Sequence, residues 1–169
     1  MRFRNVLFIS LFSLAPLAIA GCGGTENKTA SVKPDNMPEG EEWAGVYYHP
    51  IYGELHLIEQ ETNVIGKWKR RDESAWGELT GVKTGNVVHF QWKEKKYGLV
   101  GPSAESHGKG YFVYKKNEND LGVLDGQWGL GSDEIGSEWK ATKQKNKRPD
   151  LKSISGANPD QTGAPAALD

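Results

Sequence analysis

Residues 43–69 have the sequence WAGVYYHPIYGELHLIEQETNVIGKWK, in which apolar and polar residues alternate with a period of two. Such alternation is typical of β-strands that bury one face. It is interrupted at 49–53 (HPIYG) and at 61–63 (ETN), where turn-forming residues gather. This stretch therefore predicts three short strands in succession, joined by tight turns.

The same pattern continues to residue 145, and no segment has a helical stripe long enough to compete. Further turn signals lie at 71–73 (RDE), 84–86 (TGN) and 117–120 (NEND). Together they predict eight strands, at Trp43–His49, Gly53–Gln60, Asn63–Arg71, Ser74–Val82, Val87–Lys96, Gly108–Lys116, Leu121–Gly129 and Ser137–Lys143. The longest predicted loop is Tyr97–Gly108, which suits a lid, a partner-binding surface or a plain connection.

Short strands joined by short turns predict a meander. A flat sheet of this size would leave two unpaired edges, and closing it into a barrel removes them. The predicted fold is all-β: a small antiparallel eight-stranded meander barrel over residues 43–145, with a disordered N-terminal tether and C-terminal tail. The alternation predicts an inward face made of Gly45, Tyr47, Leu55, Leu57, Val64, Gly66, Trp68, Gly77, Leu79, Val88, Phe90, Trp92, Gly110, Phe112, Tyr114, Leu124, Gly126, Trp128, Trp139 and Ala141.

Residues 43–69 are similar in pattern to the opening strands of avidin-like proteins. There a Gly-x-aromatic strand is followed by a Gly-led strand and then by a second Gly-x-aromatic strand. The predicted barrel as a whole resembles the small meander barrels of the avidin and lipocalin type. The resemblance places Trp68 and Trp92 roughly where avidin-like proteins hold aromatic residues around a ligand.

Five inward aromatic residues form a candidate ligand pocket, namely Tyr47, Trp68, Trp92, Tyr114 and Trp128. At a barrel mouth such rings could stack on a sugar or on a flat apolar compound. However, an eight-stranded barrel is only just wide enough to be filled by its own side chains or to hold one small ligand. The sequence therefore leaves two interpretations open, a hollow barrel and a packed one.

A cluster of basic residues predicts a cationic patch on the outside of the barrel. Its centre is Lys67, Lys69, Arg70 and Arg71, and Lys93, Lys95 and Lys96 extend it. Such a patch could meet anionic lipid headgroups, glycans or an acidic partner. The alternative is a solvated strand edge, because lysines also protect exposed strands from aggregation.

The sequence predicts no cofactor, no metal site and no enzymatic activity. The four histidines, at positions 49, 56, 89 and 107, have no metal-ligand spacing. The acidic residues near the last hairpin fit a flexible loop better than a catalytic pair, and there is no nucleophile elbow or phosphate-binding loop. The charge is nearly balanced, at −1 for the whole chain, so no nucleic-acid partner is expected either.

Residues 1–21 have the organisation of an export signal: two arginines, an apolar run at 6–18, and then small residues. The sequence Ile19-Ala20-Gly21-Cys22 resembles the lipobox of bacterial lipoproteins. The resemblance implies cleavage between Gly21 and Cys22 and acylation of the Cys22 thiol, which would anchor the chain to a membrane. The alternative is an ordinary secretory signal followed by a chance cysteine.

Two polar segments flank the predicted barrel. Residues 22–42 contain the lipidated Cys22 and a predicted flexible tether, and residues 146–169 are a predicted disordered tail, because neither segment has enough large apolar side chains to fold alone. Removing residues 1–21 takes away two of 21 basic residues and none of 22 acidic ones, which leaves a net charge of −3.

The sequence thus predicts a lipoprotein of the cell envelope that presents a non-catalytic β-barrel for binding. Its expected partners are the membrane, through the lipid on Cys22, and another envelope protein in a larger assembly. The alternative function is a carrier or receptor that holds a small apolar or sugar ligand inside the barrel. Gly23 follows the cysteine where some bacteria place an acidic inner-membrane retention signal, which favours the outer membrane over the inner one.

Overall fold

The computed structural model describes residues 26–154, which contain eight antiparallel β-strands closed into a barrel. Each strand pairs with its sequence neighbours, and β8 pairs back with β1 through Tyr47–Lys143 and Tyr48–Thr142. The predicted all-β meander barrel of eight strands is therefore confirmed. The strands are β1 (Gly45–His49), β2 (Gly53–Gln60), β3 (Asn63–Lys69), β4 (Ala75–Thr84), β5 (Val87–Lys96), β6 (Glu105–Lys116), β7 (Gly122–Leu130) and β8 (Ser137–Lys143).

Strands β2, β5 and β8 have the predicted bounds, and the other strands differ at one or both ends. Strand β1 begins two residues late because Trp43 leaves the ladder and folds over one end of the barrel. Strand β3 ends at Lys69, because the backbone N–H of Arg70 bonds to the carbonyl of Ala75 and starts a turn. Strand β6 begins at Glu105, which pairs with Lys95. The predicted long loop is therefore shortened to residues 97–104, which include one 3₁₀ turn, Pro102–Ala104.

The interior is a single aromatic-rich core. Its buried members are Trp43, Tyr47, Leu55, Leu57, Val64, Trp68, Leu79, Val88, Phe90, Trp92, Phe112, Tyr114, Leu124, Trp139 and Ala141. Apart from Trp43, all of them were predicted to face inward. Glycine makes room for these rings at one decisive position, because a Cβ on Gly77 would overlap the six-membered ring of Trp68.

The described part of the predicted N-terminal tether lies against the outside of the barrel. The carbonyl of Lys28 accepts a bond from the backbone N–H of Glu134, and the Ala30 N–H donates to the Glu134 carboxylate. Further along, the carbonyl of Asp35 accepts a bond from the N–H of Asn86. Composition predicted no contact here, because it measures apolar burial, whereas these contacts use backbone groups and carboxylates.

The described part of the predicted C-terminal tail also contacts the barrel. The backbone N–H of Asp150 donates to His56 Nδ1 at 3.0 Å, on the outer face of β2. Ile154 is only 5% exposed. Val46 points outward and pairs with His56, yet it is fully buried. Residues 144–154 therefore lie across β1 and β2.

Residues 26–154 include no helix that is long and apolar enough to cross a membrane. The predicted signal peptide, the cleavage site Gly21–Cys22, the lipidation site Cys22, the first residues of the tether and the last fifteen residues of the tail lie outside the described residues.

Candidate functional site

The two ends of the barrel differ. Four connections lie at one end, which we call the mouth end: residues 50–52, 70–74, 97–104 and 131–136. The other end, which we call the capped end, has the turns at 61–62, 85–86 and 117–121 together with the chain on either side of the barrel. The candidate site lies at the mouth end, and the capped end closes the barrel behind it.

Trp43 closes the capped end. Its side chain is 1% exposed, and its indole N–H donates to the carbonyl of Gly85 at 3.3 Å. Its backbone N–H donates to Glu59 Oε1 at 2.6 Å, and its carbonyl accepts a 2.9 Å bond from the Tyr47 hydroxyl. The ring also meets Tyr114 edge-on, at 5.8 Å between centroids. All three polar groups of this residue are thus bonded.

Tyr114 is held at the same end by a carboxylate. Its hydroxyl donates to Glu41, whose carboxylate also lies 3.5 Å from Lys143 Nζ. Burial is the larger cause that raises the pKa of Tyr114, and the hydrogen bond to Glu41 is the next. Burial alone would raise the pKa of Glu41, but the Tyr114 bond and the charges of Lys143 and Lys116 outweigh it and lower that pKa. Both members therefore keep the protonation states that suit the bond.

The structure separates the five residues of the predicted pocket into two groups. Trp68, Trp92 and Trp128 line a cavity at the mouth end. Tyr47 and Tyr114 are fully buried at the capped end and do not line it. The pattern placed all five on the inner wall but could not assign them to levels along the barrel axis. Four further residues complete the lining, namely Tyr52, Arg70, Glu94 and Trp139.

The cavity itself is small. Its volume is about 20 Å³, which is room for about one water molecule. Aromatic rings occupy the remaining space: Trp92 and Trp128 meet edge-on at 5.1 Å, and Trp68 and Trp139 at 5.2 Å. Trp128 Nε1 donates to the Tyr52 hydroxyl at 3.3 Å. The interior of the barrel is therefore packed rather than hollow.

A buried ion pair lies in the mouth. Arg70 donates from Nε to Glu94 Oε2 at 2.9 Å and from Nη2 to Oε1 at 2.8 Å, and Trp68 Nε1 adds a 3.3 Å bond to Oε2. The guanidinium also lies 5.5 Å from the centroid of the Tyr52 ring. The hydrogen bond to Glu94 raises the pKa of Arg70. Because three N–H groups donate to this carboxylate, it anchors the lining of the cavity.

Two features of this site follow from the alternation that predicts the inner wall. Arg70 has the same parity as Val64 and Trp68, and Glu94 has the same parity as Phe90 and Trp92. Extending both inward rows by one position would have placed the two charges together at the mouth. No comparable signal identifies Tyr52, because it belongs to a turn.

His49 holds that turn. Its Nδ1 accepts hydrogen bonds from the backbone N–H groups of Ile51 and Tyr52, both at 3.0 Å. Its ring stacks on Tyr52 at 4.5 Å. Partial burial lowers the pKa of His49, which favours the neutral form that can accept these bonds. His49 therefore sets the position of Tyr52 over the cavity.

One polar atom at the cavity has no bond. The indole Nε1 of Trp139 is buried and has no hydrogen-bond partner among residues 26–154. Trp139 is 3% exposed and lies 4.8 Å from Tyr52 and 5.4 Å from Phe112, between ring centroids. A buried donor without an acceptor is costly, and this one belongs to a residue that lines the cavity.

The predicted outer basic patch is only partly present. Arg70 does not belong to it, because its side chain turns into the mouth and pairs with Glu94. Lys69 pairs with Glu73 at 2.9 Å, and Arg71 is exposed in the β3–β4 turn. Lys67 lies over the ring of Trp76 on the outer wall of β4.

Lys95 lies over the same ring, so that both lysine Nζ atoms are 5.8 Å from the Trp76 centroid. The three residues come from adjacent strands, and we call them the outer-wall cluster. A tryptophan ring between two ammonium groups presents a flat apolar surface with positive charge on two sides. The cluster is an open surface rather than a closed site.

Within residues 26–154 no group of three or more His, Cys, Asp or Glu side chains is arranged to hold a metal ion. His89 is paired with Glu134, whose carboxylate also accepts the Ala30 N–H. That arrangement fixes the N-terminal segment to the loop at 131–136.

Comparisons of the chain with protein-family models, curated proteins and solved structures found no match. The likeness to avidin-type and lipocalin-type barrels therefore stays a prediction. Any functional assignment has to be argued from the residues of this chain.

Proposed function

We propose that the chain is a membrane-anchored lipoprotein of the cell envelope that presents a non-catalytic β-barrel for binding to another envelope component. The observation that carries the binding part of the proposal is the packed interior. A cavity of about 20 Å³ is far below the roughly 300–1,000 Å³ of pockets for drug-sized ligands. Binding therefore uses the outside of the barrel.

The anchor is supported by the sequence Ile19-Ala20-Gly21-Cys22 after an apolar run. Multiple acyl chains on Cys22 would hold a polar domain firmly at a bilayer, because each buried CH₂ contributes about 0.8 kcal/mol. Gly23, in the position after the cysteine, favours the outer membrane.

The proposed partner surface is the outer-wall cluster of Lys67, Trp76 and Lys95, with Lys69 and Arg71 beside it. It combines an aromatic face with cations that remain in contact with solvent. Such a combination suits an acidic protein surface, because the ring supplies contact area and the lysines supply orientation and association rate.

Cell fractionation tests the anchor. The full chain is expressed in a bacterial host beside a Cys22→Ala variant. The proposal predicts that the wild-type chain stays in the membrane fraction through high-salt washing and is released by detergent, and that a clearly larger share of the variant is recovered in the soluble envelope fraction. Equal partition of the two chains would contradict it.

Cross-linking in intact cells tests the partner surface. A photoreactive residue at Thr80, exposed on β4 below the cluster, is expected to capture an envelope protein. The double variant Lys67→Glu, Lys95→Glu should lose that product, whereas Lys140→Glu on β8 should keep it, since Lys140 is also exposed and paired. Capture that is insensitive to the double variant would exclude this surface.

A second function, a small-ligand carrier, is favoured by one observation, the unbonded Nε1 of Trp139 beside the cavity. A ligand would have to place an acceptor there and displace the Arg70 side chain to gain volume. Native mass spectrometry of the protein taken directly from the producing cell tests this function. An added mass that is lost on denaturation would favour it, and a bare protein mass would exclude it.

A further inference from the structure

The mouth end carries an unusual concentration of exposed apolar side chains. Five large hydrophobic residues are strongly exposed among the described residues 26–154, and four of them are at this end. They are Ile51 (62%), Leu99 (50%), Val100 (91%) and Leu130 (63%). We call these four residues the apolar rim.

The rim occupies three of the four connections at the mouth end. Ile51 lies in the β1–β2 turn, Leu99 and Val100 in the β5–β6 loop, and Leu130 at the end of β7. Because β8 closes the barrel onto β1, these three connections are consecutive around the mouth. The fourth connection contains Arg71, Asp72 and Glu73 and is hydrophilic. The apolar rim therefore covers one sector of the mouth, and the β3–β4 turn on the opposite side is polar.

The β5–β6 loop carries two neighbouring rim residues, one of which, Val100, is the most exposed of the four. Leu99 and Val100 lie between Gly98 and Gly101, whose positive φ angles of 71° and 85° turn the backbone sharply on both sides. A Cβ added at either glycine would meet no atom within 4 Å. The two apolar side chains thus form a projecting tip.

The N-terminal segment first bonds to the barrel domain at the connection in the middle of this sector, residues 131–136. Lys28 is bonded through its carbonyl to the N–H of Glu134 and through its N–H to Asp133 Oδ1, in the loop that follows Leu130. From there the segment runs to Asp35 at the β4–β5 turn of the capped end. Lys28 is therefore attached to the β7–β8 connection, which is one of the four at the mouth end and whose Glu134 also bonds to His89 on the outer face of β5.

The length of chain before Lys28 limits how far the barrel can stand from a membrane anchor. Lys28 comes six positions after Cys22, with five residues between them, and even fully extended these six steps span only about 20 Å. A tether pinned at the capped end would allow the rim to point away from the bilayer, whereas one pinned beside Leu130 brings the rim toward it.

The charges in the apolar sector are compatible with a bilayer. The carboxylates of Asp133 and Glu134 already accept N–H groups from the N-terminal segment. Lys96 is exposed at the end of β5, three residues before Leu99 of the tip, and suits anionic headgroups. The polar turn at 71–73 lies opposite the sector, where a tilted barrel would leave it in water.

We propose that the apolar rim inserts into the lipid bilayer to which Cys22 is anchored, so that the barrel rests on the membrane with its mouth down and its outer-wall cluster accessible. The orientation rests in part on the proposed lipid anchor, and the insertion of Leu99 and Val100 is a property of the barrel itself. The mouth cavity would then face the interfacial layer of the membrane.

Site-specific fluorescence tests this orientation in the acylated full chain. An environment-sensitive probe is attached to Val100→Cys or to Glu118→Cys, an exposed position in the capped-end turn at 117–121. Each protein is reconstituted in vesicles of phosphatidylethanolamine and phosphatidylglycerol. The expected result is a blue-shifted emission that nitroxide-labelled lipid quenches at position 100, and an aqueous emission at position 118.

A parallel arm separates failure of the anchor from failure of the rim. The full chain with Cys22→Ser and the probe at Val100→Cys is mixed with the same vesicles. Insertion predicts a blue shift here as well, and adding Leu99→Asp should lower vesicle partition about tenfold or more, the loss expected for one buried apolar side chain. Thermal unfolding should change little, because Leu99 lies in a loop and is already 50% exposed.

The outcomes divide cleanly. Loss of the signal in the acylated chain together with an aqueous probe in the parallel arm overturns the insertion. If the chain with an intact Cys22 proves to be unacylated and the probe at position 100 is still blue-shifted, the lipid anchor is rejected and the insertion is supported. A probe at position 100 that is shielded in cells and aqueous in pure-lipid vesicles assigns the rim to a protein partner and contradicts the proposal.

Discussion

Arg70 and Glu94 are joined by two hydrogen bonds across the mouth of the barrel, at 2.9 and 2.8 Å. The Glu94 side chain is almost completely buried, whereas that of Arg70 remains 28% exposed. A buried carboxylate requires such a partner, because the cost of removing its charge from water is recovered only through good geometry and additional donors. The pair therefore links the β3–β4 turn to β5 at the point where the packed core ends.

Truncating one member of this pair should be strongly destabilising. Arg70→Ala leaves the Glu94 carboxylate with only the Trp68 N–H, and we expect it to lower the free energy of unfolding by about 2–3 kcal/mol, somewhat less than for a fully enclosed pair. Lys140→Ala, which removes exposed contacts to Asp125 and Glu138, should cost about 0.5 kcal/mol or less. Urea unfolding measures both values, and equal effects would contradict the assignment.

Replacing both members of the pair provides the complementary measurement. Arg70→Met combined with Glu94→Met removes both charges together and keeps apolar contact with Tyr52 and Trp128. The double variant should be more stable than Arg70→Ala, because no uncompensated charge stays buried. A double variant as unstable as the single one would show that packing, rather than charge, explains the loss.

Removing the Trp43 side chain, which closes the capped end, should lower the free energy of unfolding. Trp43→Ala deletes a fully buried indole and its bond to Gly85, so we expect a loss of about 3–5 kcal/mol. Trp76→Ala on the outer wall is the matched control and should cost about 1 kcal/mol. Similar losses for the two variants, measured by denaturant unfolding, would mean that closing the capped end with Trp43 does not stabilise the barrel.

Gly77 tests the packed interior directly. A methyl group at this position would overlap the Trp68 ring, so Gly77→Ala should destabilise by about 1–3 kcal/mol although alanine suits a strand better than glycine. The neighbouring Glu78→Ala, on the outer face, should stay within about 0.5 kcal/mol of the wild type. An unchanged or raised stability in Gly77→Ala would show that the interior has spare volume.

The turn that carries Tyr52 should loosen in acid. The folded-state pKa of His49 is lowered from its ordinary value of 6.5, so its contribution to stability is fully present above pH 6.5. This contribution is lost as the pH falls through the folded-state pKa, where protonated Nδ1 can no longer accept the N–H groups of Ile51 and Tyr52. The protection factors of these two amides, which compare their hydrogen-exchange rates with those of an unfolded chain at the same pH, should fall over that range. In His49→Gln this fall should be absent, and its persistence there would assign the pH dependence to another group.

The strand bounds could be predicted from the sequence wherever the alternation of apolar and polar residues alone determined them. Strands β2, β5 and β8 have their predicted ends because a turn residue closes each alternating run. Trp43 also alternates with Gly45 and Tyr47, but its indole gains more from covering the barrel end than its backbone would gain from a ladder with one neighbour. A local pattern contains no information about that competition.

The candidate site was predictable in part. Trp68, Trp92 and Trp128 were assigned to the inner wall, and they do meet at the mouth. Tyr47 and Tyr114 have the same parity but lie at the other end, because strand tilt and register set the level of each residue along the axis. Arg70 was assigned to the outer patch because charged residues are usually solvated, and a buried partner on a distant strand overrides that expectation.

The contacts of the chain segments outside the barrel could not be predicted from the local pattern either. Val46 and Val87 have outward parity and are nevertheless fully buried. Val46 lies beside the C-terminal segment, and Val87 follows Asn86, whose N–H is bonded to Asp35. The polar composition of both segments predicted that they would not fold alone, but it could not predict that they would fold onto the barrel.

The most direct test of the proposed lipoprotein is the intact mass of the full chain after expression and processing in a bacterial host. The account predicts a polypeptide that begins at Cys22, is heavier than residues 22–169 by its acyl groups, and has no thiol that reacts with maleimide. An unmodified Cys22 with a reactive thiol, or a chain cut at another position, would contradict it.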